Sequence, residues 1–227
     1  MATFVLLPGA GSDPWYWHRV IPLLERHGHR TIAVDLPYAD GSAGQYDYAD
    51  VVVEAIRNVP PPLVVVAQSM SAFTAVLVAE RCIVDELVLV APMIPAPGES
   101  PGSWWGNVGH EEARREQDVA AGRDPDAPMD LRELFFHDVP DEVVADAFTH
   151  EASAPADAAF EPAWNADRWP GVPVRVVAGR HDRLLPLSLV TRLSRERVGV
   201  EPELVDSGHL PALARPVELA KILLSSR

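Results

Sequence analysis

Three residues far apart in the chain have the types needed for acyl transfer: Ser69, Asp182 and His209. A serine hydroxyl is a weak nucleophile at neutral pH, so it needs a base beside it, an acid to orient that base, and N–H donors for the oxyanion. Ser69 ends the run Leu63-Val64-Val65-Val66-Ala67-Gln68, with Ala67 two positions before it and Ser71 two after. A β-branched run that stops at such a serine and passes into a helix-compatible stretch reads as strand, sharp turn and helix. That is the pattern of a G-x-S-x-G elbow, here with Ala67 and Ser71 in the glycine places.

This elbow type orders its residues nucleophile, acid, base. Asp182 lies in Gly179-Arg180-His181-Asp182-Arg183-Leu184-Leu185-Pro186, and His209 in Ser207-Gly208-His209-Leu210-Pro211; each segment follows a strand-like run. Asp206 adjoins the histidine loop, but its place at a strand end makes it a weaker orienting partner than Asp182. The expected oxyanion donors are the backbone N–H groups of Met70, after the nucleophile, and Ala10, in Pro8-Gly9-Ala10-Gly11, where glycines let the backbone approach a substrate. That loop lacks the third glycine of a dinucleotide fingerprint and the lysine of a P-loop, so the reading calls for no cofactor. The other histidines show no metal-ligand spacing.

The elements that must position these residues are legible as alternating short apolar runs and helical patterns. Strands are expected at Phe4–Leu7, Thr31–Val34, Leu63–Gln68, Leu87–Val90, Val174–Ala178 and Glu203–Val205. Helices are expected at Trp15–His27 and Tyr48–Asn58 and after the elbow. The fold class is therefore α/β, with a mostly parallel six-stranded sheet covered by helices on both faces. Residues 1–92 and 173–227 form the expected core. Residues 93–172, without a strand pattern, read as a helical cap insertion with helices at Glu111–Ala121, Met129–Phe136 and Asp141–Glu151, and with loops over Pro92–Gly106 and Arg123–Asp130.

At 227 residues and 48% hydrophobic, the chain can bury a core of its own. Cys82 is its one cysteine, which rules out an internal disulfide and a multi-thiolate zinc site. A net charge of -14 disfavours nucleic acid and anionic membranes as partners and favours a neutral or cationic small-molecule substrate. The basic residues other than Lys221 and the histidines are arginine, which fits a GC-rich bacterial genome. Met1–Leu7 lacks the basic start and long apolar core of a signal peptide and no run approaches transmembrane length, so a cytoplasmic protein is expected. A homodimer is compatible with the sequence.

With these residues placed, the chain resembles the α/β-hydrolase superfamily over nearly its full length. More narrowly, it is similar to the branch of plant methyl esterases, hydroxynitrile lyases and their bacterial relatives. The narrower likeness rests on Phe4-Val5-Leu6-Leu7-Pro8-Gly9-Ala10-Gly11, Trp15-Tyr16-Trp17, Pro22-Leu23-Leu24-Glu25, Phe135-Phe136-His137-Asp138-Val139-Pro140-Asp141-Glu142, Gly208-His209-Leu210-Pro211 and Pro216-Val217-Glu218-Leu219-Ala220. The resemblance implies a cap closing over a small apolar pocket. Three positions depart from the family pattern: Pro8 replaces the usual histidine, and Ala67 and Ser71 replace elbow glycines. The lyases use a threonine in the oxyanion loop and a lysine just after the catalytic histidine; Gly9 or Ala10 and Leu210 stand there, which argues against cyanohydrin cleavage.

The expected function is hydrolysis of a small, mostly apolar carboxylic ester through an acyl-enzyme on Ser69. Gly9, Trp104, Trp105, Phe135 and Leu210 are the expected pocket residues, although packing in the cap core would explain the aromatics equally well. Alternatives keep the triad on an amide, a thioester or a carbon–carbon bond, or keep the pocket as a non-catalytic receptor.

Overall fold

The computed structural model describes residues 1–128, 130–150 and 153–225. In chain order the strands are β1 (Thr3–Leu7), β2 (Arg30–Ala33), β3 (Leu63–Gln68), β4 (Glu86–Val90), β5 (Val174–Gly179) and β6 (Glu203–Val205). The helices are α1 (Ile21–Arg26), α2 (Gln45–Ile56), α3 (Ser71–Arg81), α4 (Pro101–Asn107), α5 (His110–Ala120), α6 (Leu131–Phe135), α7 (Asp141–Ala147), α8 (Leu187–Leu193), α9 (Pro211–Ala214) and α10 (Pro216–Leu224).

All six strands pair in parallel, in the order β2-β1-β3-β4-β5-β6. Period-two alternation sorts their side chains between two faces. Val5, Leu7, Val65 and Ala67 pack with Tyr48 and Val52 of α2, Phe73 and Leu77 of α3, and Leu189 and Leu193 of α8. Phe4, Leu6, Val64 and Val66 pack on the other side with Leu24 of α1 and Leu219 and Leu223 of α10. Both faces are therefore dry, which is why β1 and β3 read as unbroken apolar runs.

The strand order also locates the site. From β1 the chain goes outward to β2 and then returns across β1 to β3, so the connections after β1 and β3 leave in opposite senses. The crevice at the carboxyl ends of two such strands is where open parallel sheets receive ligands. Pro8-Gly9-Ala10 follows β1 and Ser69 follows β3.

Several local expectations are corrected. Trp15–His27 is not one helix: a 3-10 turn over Pro14–Trp17 precedes α1. Pro22 lacks the N–H that a continuous helix needs and its ring would meet the His18 carbonyl, so it is tolerated only in a first helical turn. The second helix begins at Gln45 rather than Tyr48, because the Asp47 side chain accepts the Gly44 N–H at 2.8 Å and fixes an earlier start. The segment read as a loop over Pro92–Gly106 contains most of α4. Ser100 caps it by accepting the Ser103 N–H at 3.1 Å, and Pro101 occupies its first turn. The expected ends of two insertion helices at Met129 and Glu151 lie outside the described residues. Among those residues no helix is long and apolar enough to cross a membrane.

Among the described residues between β4 and β5, the buried apolar side chains join the cores of the sheet. Ile94, Trp104, Val108, Ala159 and Trp164 join one face of the sheet, and Val139, Val143 and Val144 join the other.

Candidate active site

Ser69 occupies the turn between β3 and α3 with φ 55°, a left-handed conformation that a non-glycine residue adopts at a cost of about 1 kcal/mol. The surroundings hold it there: its N–H donates to the Val90 carbonyl at 3.0 Å, and its carbonyl accepts from Met93 at 3.1 Å and Ala72 at 3.2 Å. The turn must be tight because β3 is completely buried and α3 starts within three residues of its end. Ser69 itself is 8% exposed.

The family-pattern departures have visible causes. The Ser71 hydroxyl, at the second glycine place, donates to the Pro8 carbonyl, and the Tyr38 hydroxyl donates to the same oxygen at 3.2 Å. The elbow helix and the loop after β1 are thus pinned together through a carbonyl that the residue at position 8 supplies whatever its side chain. Burial raises the Tyr38 phenol's pKa, so it remains a donor. Ala67 is fully buried in the core, where a methyl fits.

Gly9 cannot be replaced without movement. A Cβ there would stand 1.9 Å from Gln68 Oε1 and 3.2 Å from Ser69 Cβ, so this glycine brings the β1 loop directly against the elbow. Ala10, next in that loop, is exposed. Among the described residues neither the Ala10 nor the Met70 N–H has a hydrogen-bond acceptor.

The β5 and β6 loops bring the other two residues in. His209 Nε2 lies 3.1 Å from Ser69 Oγ, and His209 Nδ1 lies 2.8 Å from Asp182 Oδ2. A carboxylate only accepts, so the tautomer that satisfies both contacts carries its proton on Nδ1 and presents Nε2 to the serine hydroxyl. Asp182 and His209 are each 1% exposed. The other Asp182 oxygen accepts the N–H groups of Leu184 and Leu185, both at 2.9 Å, and Gln117 Nε2 donates to its carbonyl at 2.9 Å. Gly179 lets the two loops touch, since a Cβ there would fall 2.5 Å from the Gly208 carbonyl oxygen. Asp206 turns away and pairs with His181 at 2.8 Å, both exposed.

Two residues that sequence reading did not single out hold the histidine loop. Gln68 Nε2 donates to the His209 carbonyl at 3.2 Å, and Asp138 Oδ2 accepts the Gly208 N–H at 2.7 Å. Gln68 directly precedes the serine, which was a usable signal. Asp138 lies 70 residues from its partner, and no local pattern connects them.

The expected pocket residues separate. Phe135 sets its ring edge-on to His209, centroids 5.4 Å apart, and Leu210 follows the histidine half-buried. Trp104 is wholly buried and its indole N–H donates to the Ile94 carbonyl at 2.9 Å, a packing role. Trp105 lines a surface groove of about 1010 Å³ with His110, Glu112 and Val119, and none of Ser69, Asp182 and His209 lines it. Among the described residues no group of three or more His, Cys, Asp or Glu is placed to hold a metal ion.

Residues 4–222 match the model of the alpha/beta hydrolase family. Norfluorocurarine synthase 1 of Strychnos sp is 28% identical over 126 residues, covering 51% of this chain and 47% of that protein. Polyneuridine aldehyde esterase of Rauvolfia serpentina is 29% identical over 108 residues, covering 43% and 41%. A crystal structure of polyneuridine aldehyde esterase superimposes with a TM-score of 0.78 at 20% identity, over 99% of this chain and 98% of the other. The pyrethroid hydrolase of Sphingobium faniae JZ-2 gives 0.79 at 20% identity, over 98% and 95%. The chain spans about half the length of these curated relatives, and the structural likenesses concern the fold.

Proposed function

Because the chain belongs to the alpha/beta hydrolase family, we propose that it is a serine hydrolase cleaving small, mostly apolar carboxylic esters through an acyl-enzyme on Ser69. The observation that carries this reading is the continuous series Ser69 Oγ, His209, Asp182, with contacts of 3.1 and 2.8 Å at the carboxyl edge of the sheet. A relative named as an esterase supports the ester as the bond.

In this reading His209 Nε2 takes the Ser69 proton as Oγ forms a bond to the acyl carbon. The N–H groups of Ala10 and Met70 receive the oxyanion, and the geometry of Gly9 keeps their loops in contact. The imidazolium returns its proton to the departing alkoxide as the ester C–O bond breaks. Water, deprotonated by the same nitrogen, then attacks the acyl-enzyme and frees the acid and Ser69. Asp182 stays ionised, fixing the tautomer and stabilising the imidazolium. Residues 93–172 serve as the cap, with Phe135 beside the base.

A second reading changes the bond to an amide, a thioester or a carbon–carbon bond and keeps the residues; it is favoured by the relative named as a synthase. Purified protein assayed on p-nitrophenyl esters of increasing acyl length, with folded Ser69→Ala and His209→Ala variants, separates the two. Turnover lost in both variants supports the esterase. No turnover of any ester by the wild type overturns it.

A further inference from the structure

The segment from α6 to α7 touches the machinery at three points. Arg183, next to Asp182, donates to the Glu133 carbonyl at 3.1 Å and to its carboxylate at 2.6 Å. Phe135 lies edge-on to the His209 ring. Asp138 accepts the N–H of Gly208, immediately before the histidine.

The third contact differs from the others because it acts on the main chain that carries the base. Gly208 is pressed so closely that a Cβ there would stand 2.6 Å from His137 Cε1 and 2.8 Å from Asp138 Oδ1. The Gly208 N–H donates to the Asp138 carboxylate at 2.7 Å. On the far side of the histidine, Gln68 holds the His209 carbonyl. The Ser207–Gly208 peptide, one residue before His209, and the His209–Leu210 peptide, directly after it, are thus held from two elements, one in the core and one in the insertion. The imidazole must reach Ser69 and Asp182 at once, so a small rotation of these peptides would open one contact or both.

Asp138 also bears a cost that a loop of ordinary stability would not need. Its Oδ1 is buried without a hydrogen-bond partner, as is the neighbouring His137 Nδ1, among the described residues. An unpartnered buried acceptor is unfavourable. Among the described residues, the hydrogen bond that this carboxylate accepts is from the Gly208 N–H.

We propose that Asp138 is a positioning residue, whose carboxylate clamps the Gly208 N–H and so sets the His209 ring between Ser69 and Asp182. This rests on the serine-hydrolase reading. Its consequence is that the insertion controls the base through a main-chain tether as well as covering the site.

The test compares Asp138→Ala, which removes the acceptor, with Asp138→Asn, which keeps it and places an N–H where Oδ1 is now unpartnered. On a p-nitrophenyl ester, Asp138→Ala should lose about 10–100-fold in kcat with KM changed less than about twofold, and Asp138→Asn should stay within about threefold of wild type. The low-field proton resonance of the His209 Nδ1–H to Asp182 hydrogen bond should broaden or vanish in Asp138→Ala and persist in Asp138→Asn. A merely structural role would lower thermal stability and leave that resonance in place.

A folded Asp138→Ala with parental kcat and resonance overturns the proposal, as does an Asp138→Asn variant as impaired as the alanine. If Asp138→Ala does not fold, Gly208→Ala, whose methyl would drive the loop off the carboxylate, should show the same kcat loss; parental kcat there overturns the clamp. If the wild type cleaves no ester, the hydrolase reading fails, and the resonance still decides the clamp by itself.

Discussion

At the carboxyl edge of the sheet, Ser69, Asp182 and His209 sit on turns fed by strands β3, β5 and β6, and β3 is buried along its whole length. The segment between β4 and β5 reaches the same place through helices of 5 to 11 residues, of which α4 and α6 are begun by the side-chain caps Ser100 and Asp130. The edge draws its rigidity from parallel pairing and apolar packing on two faces. The insertion adds to its apolar packing on both faces a set of polar ties: Arg183 to Glu133, Asp138 to Gly208, and Arg197 to the buried Glu99 at 2.6 Å. Under the proposed serine-hydrolase reading, the reacting groups stand on the strand-fed edge. The insertion supplies contacts to the loops that carry them.

That contrast is sharpest where the edge alone is altered. Asp182→Asn leaves the shape in place but favours the wrong histidine tautomer, and kcat should fall about 10⁴-fold in the ester assay with little change in melting temperature. A loss below tenfold would mean that Asp182 is not what orients His209.

Trp104→Ala tests the opposite side. The side chain is fully buried and anchors the insertion to the sheet, so unfolding by denaturant should show a loss of about 3–5 kcal/mol. Phe135→Ala, half-buried beside the base, should cost less stability and show its effect in KM. If Trp104→Ala changed KM and left stability alone, Trp104 would belong to the pocket after all.

The smallest effect concerns acid. Burial lowers the pKa of His110, with a hydrogen bond to the Leu184 carbonyl at 2.6 Å partly opposing it, so the folded protein favours the neutral ring. Below the unfolded value of about 6.5 the unfolded chain binds this proton first. Stability therefore falls as pH drops through that value and levels off below the folded pKa. His110→Gln should be less sensitive than wild type between pH 7 and 5, by under ~1 kcal/mol after solvent screening. Urea titrations at the two pH values measure it, and identical slopes would contradict the assignment.

What could be read in advance follows the same division. The central strands and the elbow were legible because parallel strands buried on both faces leave uninterrupted runs such as Leu63–Ala67, which Ser69 closely follows, and His209 comes after the short strand Glu203–Val205. Helix α4 was not, since Ser100 and Pro101, which start it, lie in a Pro/Gly-rich stretch that reads as a loop. The break before α1 was signalled by Pro22 but masked by the helical spacing of Trp17, Val20 and Leu24. Asp138 has a meaning only once the insertion folds back onto Gly208, a contact that no periodicity encodes.

The central claim is that Ser69 is a nucleophile activated by His209. Brief exposure to an organophosphorus serine probe followed by peptide mass spectrometry tests it directly. The account predicts a single adduct on Ser69 in the wild type and none in folded His209→Ala over the same time. An unlabelled wild type, or label on another serine with Ser69 untouched, would contradict it.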